Sequence, residues 1–178
     1  MISDEKQRLR ARVRALPPGN PADGALVRAA LERWTEWQRA RCVCGFAALP
    51  AEPEVLAPWP SDKQIALPRV EGGHLRLHSV LDPSDLVAGA YGIREPHPDA
   101  PPGGNTFDLI LIPGVAFDRK GGRLGRGCGY YDRLLKEILG LRVGICFDHQ
   151  IVPAVPCGPL DMAVDFLATP CGVLKCHA

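Results

Sequence analysis

An α/β fold on a mostly parallel sheet, with helices at the N-terminal end, follows from three features of the chain. Residues 107–112 are almost wholly apolar, as a strand covered on both faces must be. Beyond them strand-like and helix-like patterns alternate, the order that lays helices against a parallel sheet. Before Arg41, by contrast, apolar residues recur at helical spacing. At 178 residues the chain suits one domain, residues 1–178, large enough for a substantial core.

Each element has its own signal. Ser3 or Asp4 can cap a first helix reaching about Ala15, with Leu9, Val13 and Leu16 as its apolar stripe. Lys6, Arg10 and Arg14 form a basic row beside that stripe, a pattern that is ordinarily a solvated face. Asn20-Pro21 supplies the cap and first turn of a second helix, striped by Leu26, Ala30, Trp34 and Trp37. Then the period changes. Residues 42–49 are a short apolar run ending at a proline, hence a buried strand. Residues 64–68 and 75–80 are two further strands about a turn at Gly72-Gly73. After the strand at 107–112 come a helix at 130–139, a strand at 142–147 and a short last strand at 165–168. Prolines gather between elements, at 17–18, 50–60 and 96–102, which predicts stiff connections. No internal repeat and no interdomain linker is visible.

Composition narrows the class. A net charge of +1 rules out a global basic field for nucleic acid, so any anion must be bound locally. The seven cysteines form no Cys-x-x-Cys unit, which predicts reduced thiols in a cytoplasmic protein and no zinc site. No signal peptide and no apolar run of membrane-spanning length is seen, so no membrane partner is expected.

The chemistry concentrates in residues 107–135. A strand runs into a glycine-rich loop carrying Arg119, Lys120, Arg123 and Arg126, and a helix follows with Asp132 just inside it. Polyphosphate needs that order of parts. Glycines let backbone N–H groups approach anionic oxygens, a helix N-terminus adds partial positive charge, arginines neutralise, and a carboxylate can hold magnesium. The glycines at 125, 127 and 129 match neither of the common nucleotide fingerprints. A ligand-free turn would not need so many cations beside glycines in so long a connection. For Asp132 alone, stabilisation of the helix dipole is a competing role.

The strings Pro113-Gly-Val-Ala-Phe-Asp and Gly122-Arg-Leu-Gly-Arg-Gly-Cys-Gly-Tyr-Tyr-Asp132 resemble the signature of the 5-formyltetrahydrofolate cyclo-ligase family. Lys6-Gln-Arg-Leu-Arg10, Gly92-Ile-Arg-Glu-Pro96, Phe147-Asp-His-Gln150 and Leu160-Asp-Met-Ala-Val-Asp165 support the resemblance in order along the chain. It implies a single-domain, three-layer α/β/α Rossmann-like fold. It also implies an ATP- and Mg2+-dependent conversion of 5-formyltetrahydrofolate to 5,10-methenyltetrahydrofolate, with ADP and phosphate released, in a monomer. Carried over by position, Lys6 and Arg10 reach the nucleotide phosphates. The backbone of Leu124, Gly125, Arg126, Gly127, Cys128 and Gly129 cradles them, and Arg123 stabilises the transferring group. Some family members have lysine where this chain has Cys128. Asp132 and Asp161 match the magnesium carboxylates. Tyr130 and Tyr131 line the pocket between nucleotide and folate, with Tyr131 touching both. Glu52, or Glu54 in its place, contacts the pterin, Tyr91 stacks on the substrate or packs half-buried, and Gln150 meets the pterin or formyl region. Two other readings stay open: a non-catalytic folate or nucleotide binder, and a ligase acting on another formamide or acid.

Overall fold

The computed structural model describes residues 2–17 and 20–177. Its centre is a seven-stranded sheet. In chain order the strands of that sheet are β1 (Cys42–Cys44), β2 (Gln64–Glu71), β3 (His74–Val80), β6 (Thr106–Pro113), β9 (Leu139–Ile145), β10 (Phe166–Thr169) and β11 (Gly172–Lys175). Between them lie two small hairpins, β4 (Leu86–Ala88) with β5 (Arg94–Pro96), and β7 (Ala116–Phe117) with β8 (Arg123–Leu124). Across the sheet the order is β11-β10-β9-β6-β1-β2-β3. The central pairings are parallel, and β3 and β11 close the two edges antiparallel.

Helices complete the layers: α1 (Ile2–Arg14), α2 (Pro21–Arg33), α3 (Thr35–Arg39) and α4 (Tyr130–Glu137). Alternate residues of β6 enter opposite cores, which is why that strand is apolar throughout. Leu109 and Leu111 pack with Val27 and Leu31 of α2 and Trp37 of α3. Ile110 and Ile112 pack with Leu134 and Leu135 of α4. The helix α1 lies elsewhere, setting Leu9 and Val13 against Val115, Ala116 and Leu124 of the β7–β8 hairpin. That docking brings its basic row to the glycine loop.

Several boundaries differ from expectation, each for a tertiary reason. The second helix breaks at Trp34, whose backbone is extended at φ −81° and ψ 132° while its ring packs on Phe166 at 4.9 Å. The buried face is Val27, Ala30 and Leu31, and Leu26 is exposed. Trp37 is core, as its spacing suggests, with the Arg28 and Lys63 cations over its ring. The strand predicted over 42–49 stops at Cys44. Past Gly45, which still donates to Ala66 O, the chain runs irregularly through its proline-rich stretch. The strand before Cys146 begins at Leu139, not at Arg142. The strand β11 and both small hairpins carry no alternation long enough to be read from sequence.

Candidate active site

The glycine loop begins as a β-turn structure. After β7, Asp118 is buried and its carboxylate accepts from the N–H groups of Lys120, Gly122 and Val155, at 2.9, 2.9 and 2.7 Å. Sequence reasoning passed over this residue. The available signal was an aspartate four residues before Gly122, the spacing of a side chain that caps its own turn. With the turn so fixed, Arg119 and Lys120 project as exposed residues on the side of the C-terminal strand, where His177 N donates to Arg119 O. They do not join Arg123 and Arg126.

Arg123 is almost fully buried at the start of the cradle. Its Nη2 donates to Asp132 Oδ1 at 2.8 Å, and its guanidinium lies 5.6 Å from the Tyr131 ring centre. Its Nε has no partner among the described residues. A buried donor left open costs about 1–3 kcal/mol, so an anionic ligand atom that filled it would be favoured. Glycine at 125 makes this packing possible, since a Cβ there would sit 3.0 Å from Arg123 Nη1. The side chain of Leu124 is core, and its carbonyl accepts from Val115 N, so it supports the loop from below.

Around this centre the structure gathers most of the residues assigned to phosphate and metal. Arg10 Nε donates to Gly125 O at 2.8 Å, and its guanidinium lies beside Gly127. Lys6 Nζ donates to both carboxylate oxygens of Asp161, so Lys6 and Arg10 are both engaged with the protein and are not a solvated row. Asp161 also accepts from Gly158 N at 2.6 Å. Burial raises its carboxyl, but the Lys6 and Gly158 hydrogen bonds, with the charges of Lys6 and Arg123, outweigh this and hold it below the ordinary value. The next residue, Met162, donates its N–H to Asp132 Oδ1 at 3.2 Å, which ties the two carboxylates into one neighbourhood. Gly129, in left-handed conformation at φ 66°, starts α4 without a side-chain cap. The first-turn N–H groups of that helix therefore lack intrahelical partners, as an anion site requires.

The donor set fits magnesium. Among the described residues no three His, Cys, Asp or Glu side chains gather into a cage. Magnesium takes one or two carboxylates, keeping its other positions for water and substrate phosphates. Asp132 and Asp161 supply that number.

On the other flank, Glu52 is buried, accepting from Arg126 Nη2 at 2.9 Å and from Leu49 N at 3.0 Å. Glu54 is exposed and engaged with Leu56 N, so Glu52 is the one that meets the glycine loop. Each Glu52 oxygen keeps a lone pair open to a further donor. Tyr131 lies close by: burial, then the Cys44 and Glu52 charges, push its phenol well above the usual value against the pull of Arg123. Tyr91 is not half-buried. It is 71% exposed, its backbone sits at φ 59°, and its hydroxyl is 3.3 Å from that of Tyr130. Gln150 requires correction. It is buried, its amide joining Phe147 N to Gly114 O at 2.8 and 2.9 Å, so it braces the ends of β6 and β9 instead of meeting substrate. Cys128 is exposed, and its carbonyl accepts from Arg133 Nη1 at 3.1 Å.

A mostly parallel α/β domain with this cationic glycine cradle belongs among nucleotide-dependent enzymes. The model of the 5-formyltetrahydrofolate cyclo-ligase family matches residues 3–170, and the chain belongs to that family. A 5-formyltetrahydrofolate cyclo-ligase from Schizosaccharomyces pombe, described as probable, is 29% identical over 163 residues, spanning 79% of this chain and 80% of that one. The mitochondrial 5-formyltetrahydrofolate cyclo-ligase of Arabidopsis thaliana is 33% identical over 142 residues, which is 68% of this chain but 48% of the relative. The aligned region thus spans about half the length of that relative. The solved structure of Aquifex aeolicus 5,10-methenyltetrahydrofolate synthetase superposes with a TM-score of 0.82 at 31% identity, covering 99% of this chain and 93% of that one. Among the described residues no helix is long and apolar enough to cross a membrane.

Proposed function

We propose that this chain converts 5-formyltetrahydrofolate to 5,10-methenyltetrahydrofolate while ATP is cleaved to ADP and phosphate. One observation carries the reading: Lys6, Arg10 and Arg123, with Asp132 and Asp161, converge from three distant segments on a single glycine loop. A mere nucleotide binder has no need to place a buried arginine with an open donor between two carboxylates.

The substrate's formyl oxygen is a poor leaving group. Transfer of the γ-phosphoryl group to that oxygen breaks the bond to ADP and makes the oxygen a good one. The N10 lone pair then attacks the formyl carbon, the carbon–oxygen bond breaks, phosphate departs, and the N10 proton passes to water. Little covalent chemistry falls to the protein, so positioning and charge stabilisation dominate. Arg123 balances the charge that develops on the transferring group, and its ion pair with Asp132 fixes its orientation. Lys6 and Arg10 hold the trailing phosphates. Asp132 and Asp161 would hold magnesium, which would supply neutralisation of the phosphate charge. Glu52, aimed by Arg126, orients the pterin through its ring donors. Tyr131 stays a neutral hydroxyl because burial disfavours its anion, and it can donate between the two substrates. Tyr91 and Tyr130 offer an aromatic edge for the folate.

All seven cysteines are free thiols, which suits a reducing cytoplasm. The test is direct. Purified protein given 5-formyltetrahydrofolate and Mg-ATP should develop the methenyl chromophore with equimolar ADP. Bound nucleotide without chromophore would return the chain to a binding role.

A further inference from the structure

A cavity of about 160 Å3 opens between α4 and β3, lined by His74, Leu75, Arg76, Arg133, Leu134 and Glu137. None of these residues has a part in the chemistry above. A single water needs about 10–15 Å3 of such space, so the cleft has room for a carboxylate group. Its polar groups are two arginines and a histidine against one carboxylate. Arg133 is anchored, donating to Cys128 O and Gly73 O, both at 3.1 Å. Among the described residues the side chains of Arg76, His74 and Glu137 make no hydrogen bond or ion pair. Arg76 is therefore an unanswered cation at the mouth of a small polar cleft.

The cleft is continuous with the aromatic edge of the site. The Arg133 guanidinium lies 5.3 Å from the Tyr130 ring centre, and the Tyr130 hydroxyl meets that of Tyr91. Contacts thus run from Tyr91 through Tyr130 to Arg133, which lines the cleft together with Arg76. A folate ends in a glutamate, and its γ-carboxylate can be extended by further γ-linked glutamates, each adding a negative charge. We propose that this cleft receives the carboxylates of such a tail, with Arg76 and Arg133 attracting it and Glu137 limiting the attraction. The inference rests on the reading that folate lies against Tyr91 and Tyr130.

The measurement compares kcat/KM for 5-formyltetrahydrofolate carrying one glutamate and carrying three, and the readout is the triglutamate-to-monoglutamate ratio. Exposed ion pairs are individually weak, so Arg76→Glu should lower the ratio about fivefold. Glu137→Gln should raise it about twofold, and both changes should fade near 1 M salt, where the screening length is ~3 Å. Opposite movements on the two sides of one cleft are not produced by loosened structure. A ratio unmoved by both substitutions, including one where both substrates suffer equally, overturns the tail site. Failure of the unmodified protein to turn over either substrate instead overturns the folate assignment itself.

Discussion

At the phosphate end of the cleft, Lys6, Arg10, Arg123 and Arg126 each hold a partner within the protein: Asp161, the Gly125 carbonyl, Asp132 and Glu52. At the aromatic end, Tyr91 stands 71% exposed on a left-handed backbone, touched at its hydroxyl by Tyr130. Charges brought together out of water must be neutralised before a ligand arrives, or desolvation would push them apart. Aromatic rings carry no such penalty and can wait open. The phosphate end is therefore assembled in advance, and on the proposed function phosphate oxygens would exchange for carboxylates on these cations. The aromatic end has only the Tyr91–Tyr130 contact to order it.

The largest effect should come from breaking the centre of the assembled end. Arg123→Ala should lower turnover about 10^2–10^3-fold, the scale of a removed transition-state donor. Because Arg123 is buried against Asp132, the variant should also melt earlier, whereas Arg123→Lys should recover melting temperature and little turnover. Recovery of both by lysine would show that charge alone, without the guanidinium's fixed geometry, is what the step requires.

Next in size is the exchange itself. Asp132→Asn keeps a hydrogen-bond acceptor for Arg123 and Met162 but removes a metal-seeking charge. The magnesium concentration for half-maximal rate should rise about tenfold, a loss of ~1.4 kcal/mol in binding. An unchanged magnesium requirement would remove Asp132 from the metal and leave it as a brace for Arg123.

A smaller change should follow at the junction of the two ends. Glu52→Gln leaves Arg126 without its charged partner and weakens acceptance from a pterin donor. The KM for folate should rise about fivefold with the KM for ATP nearly constant, since weakening a charged hydrogen bond to a neutral one loses ~1 kcal/mol. Equal increases in both constants would place Glu52 in the loop's support instead of the folate's.

The two ends also differed in how far sequence alone revealed them. Charges and glycines at fixed spacing stand out in a sequence, and the structure brings Arg123 to Asp132, Lys6 to Asp161 and Arg10 to the Gly125 carbonyl. The sheet was legible for a similar reason: an unbroken apolar run such as β6 has one comfortable place in a fold. Gln150 was misjudged because a polar residue after a strand looks the same whether it faces a ligand or ties two backbones. The break at Trp34 was hidden because its ring packs on Phe166, more than a hundred residues away. Asp118 escaped notice since its three N–H partners appear only once the turn is closed. The short hairpins have too few residues to show a period.

The gentlest probe of the assembled end is acid. Asp161 is held below its ordinary pKa by Lys6 and Gly158 N–H against the opposing effect of burial. A carboxyl depressed on folding contributes stability that is present above its unfolded pKa, near 3.8, and is lost as pH falls through the lower folded value. The unmodified protein should therefore melt higher than Asp161→Asn at pH 7, by about 2 °C for a partly exposed ion pair in a domain of this size. The two melting curves should draw together as pH drops below about 4, where the unmodified carboxyl also takes up its proton. A gap that stayed constant from pH 7 to pH 3 would mean that Asp161 acts by shape in the turn after Gly158. The Lys6 pair would then be a consequence of that turn and not part of what assembles the site.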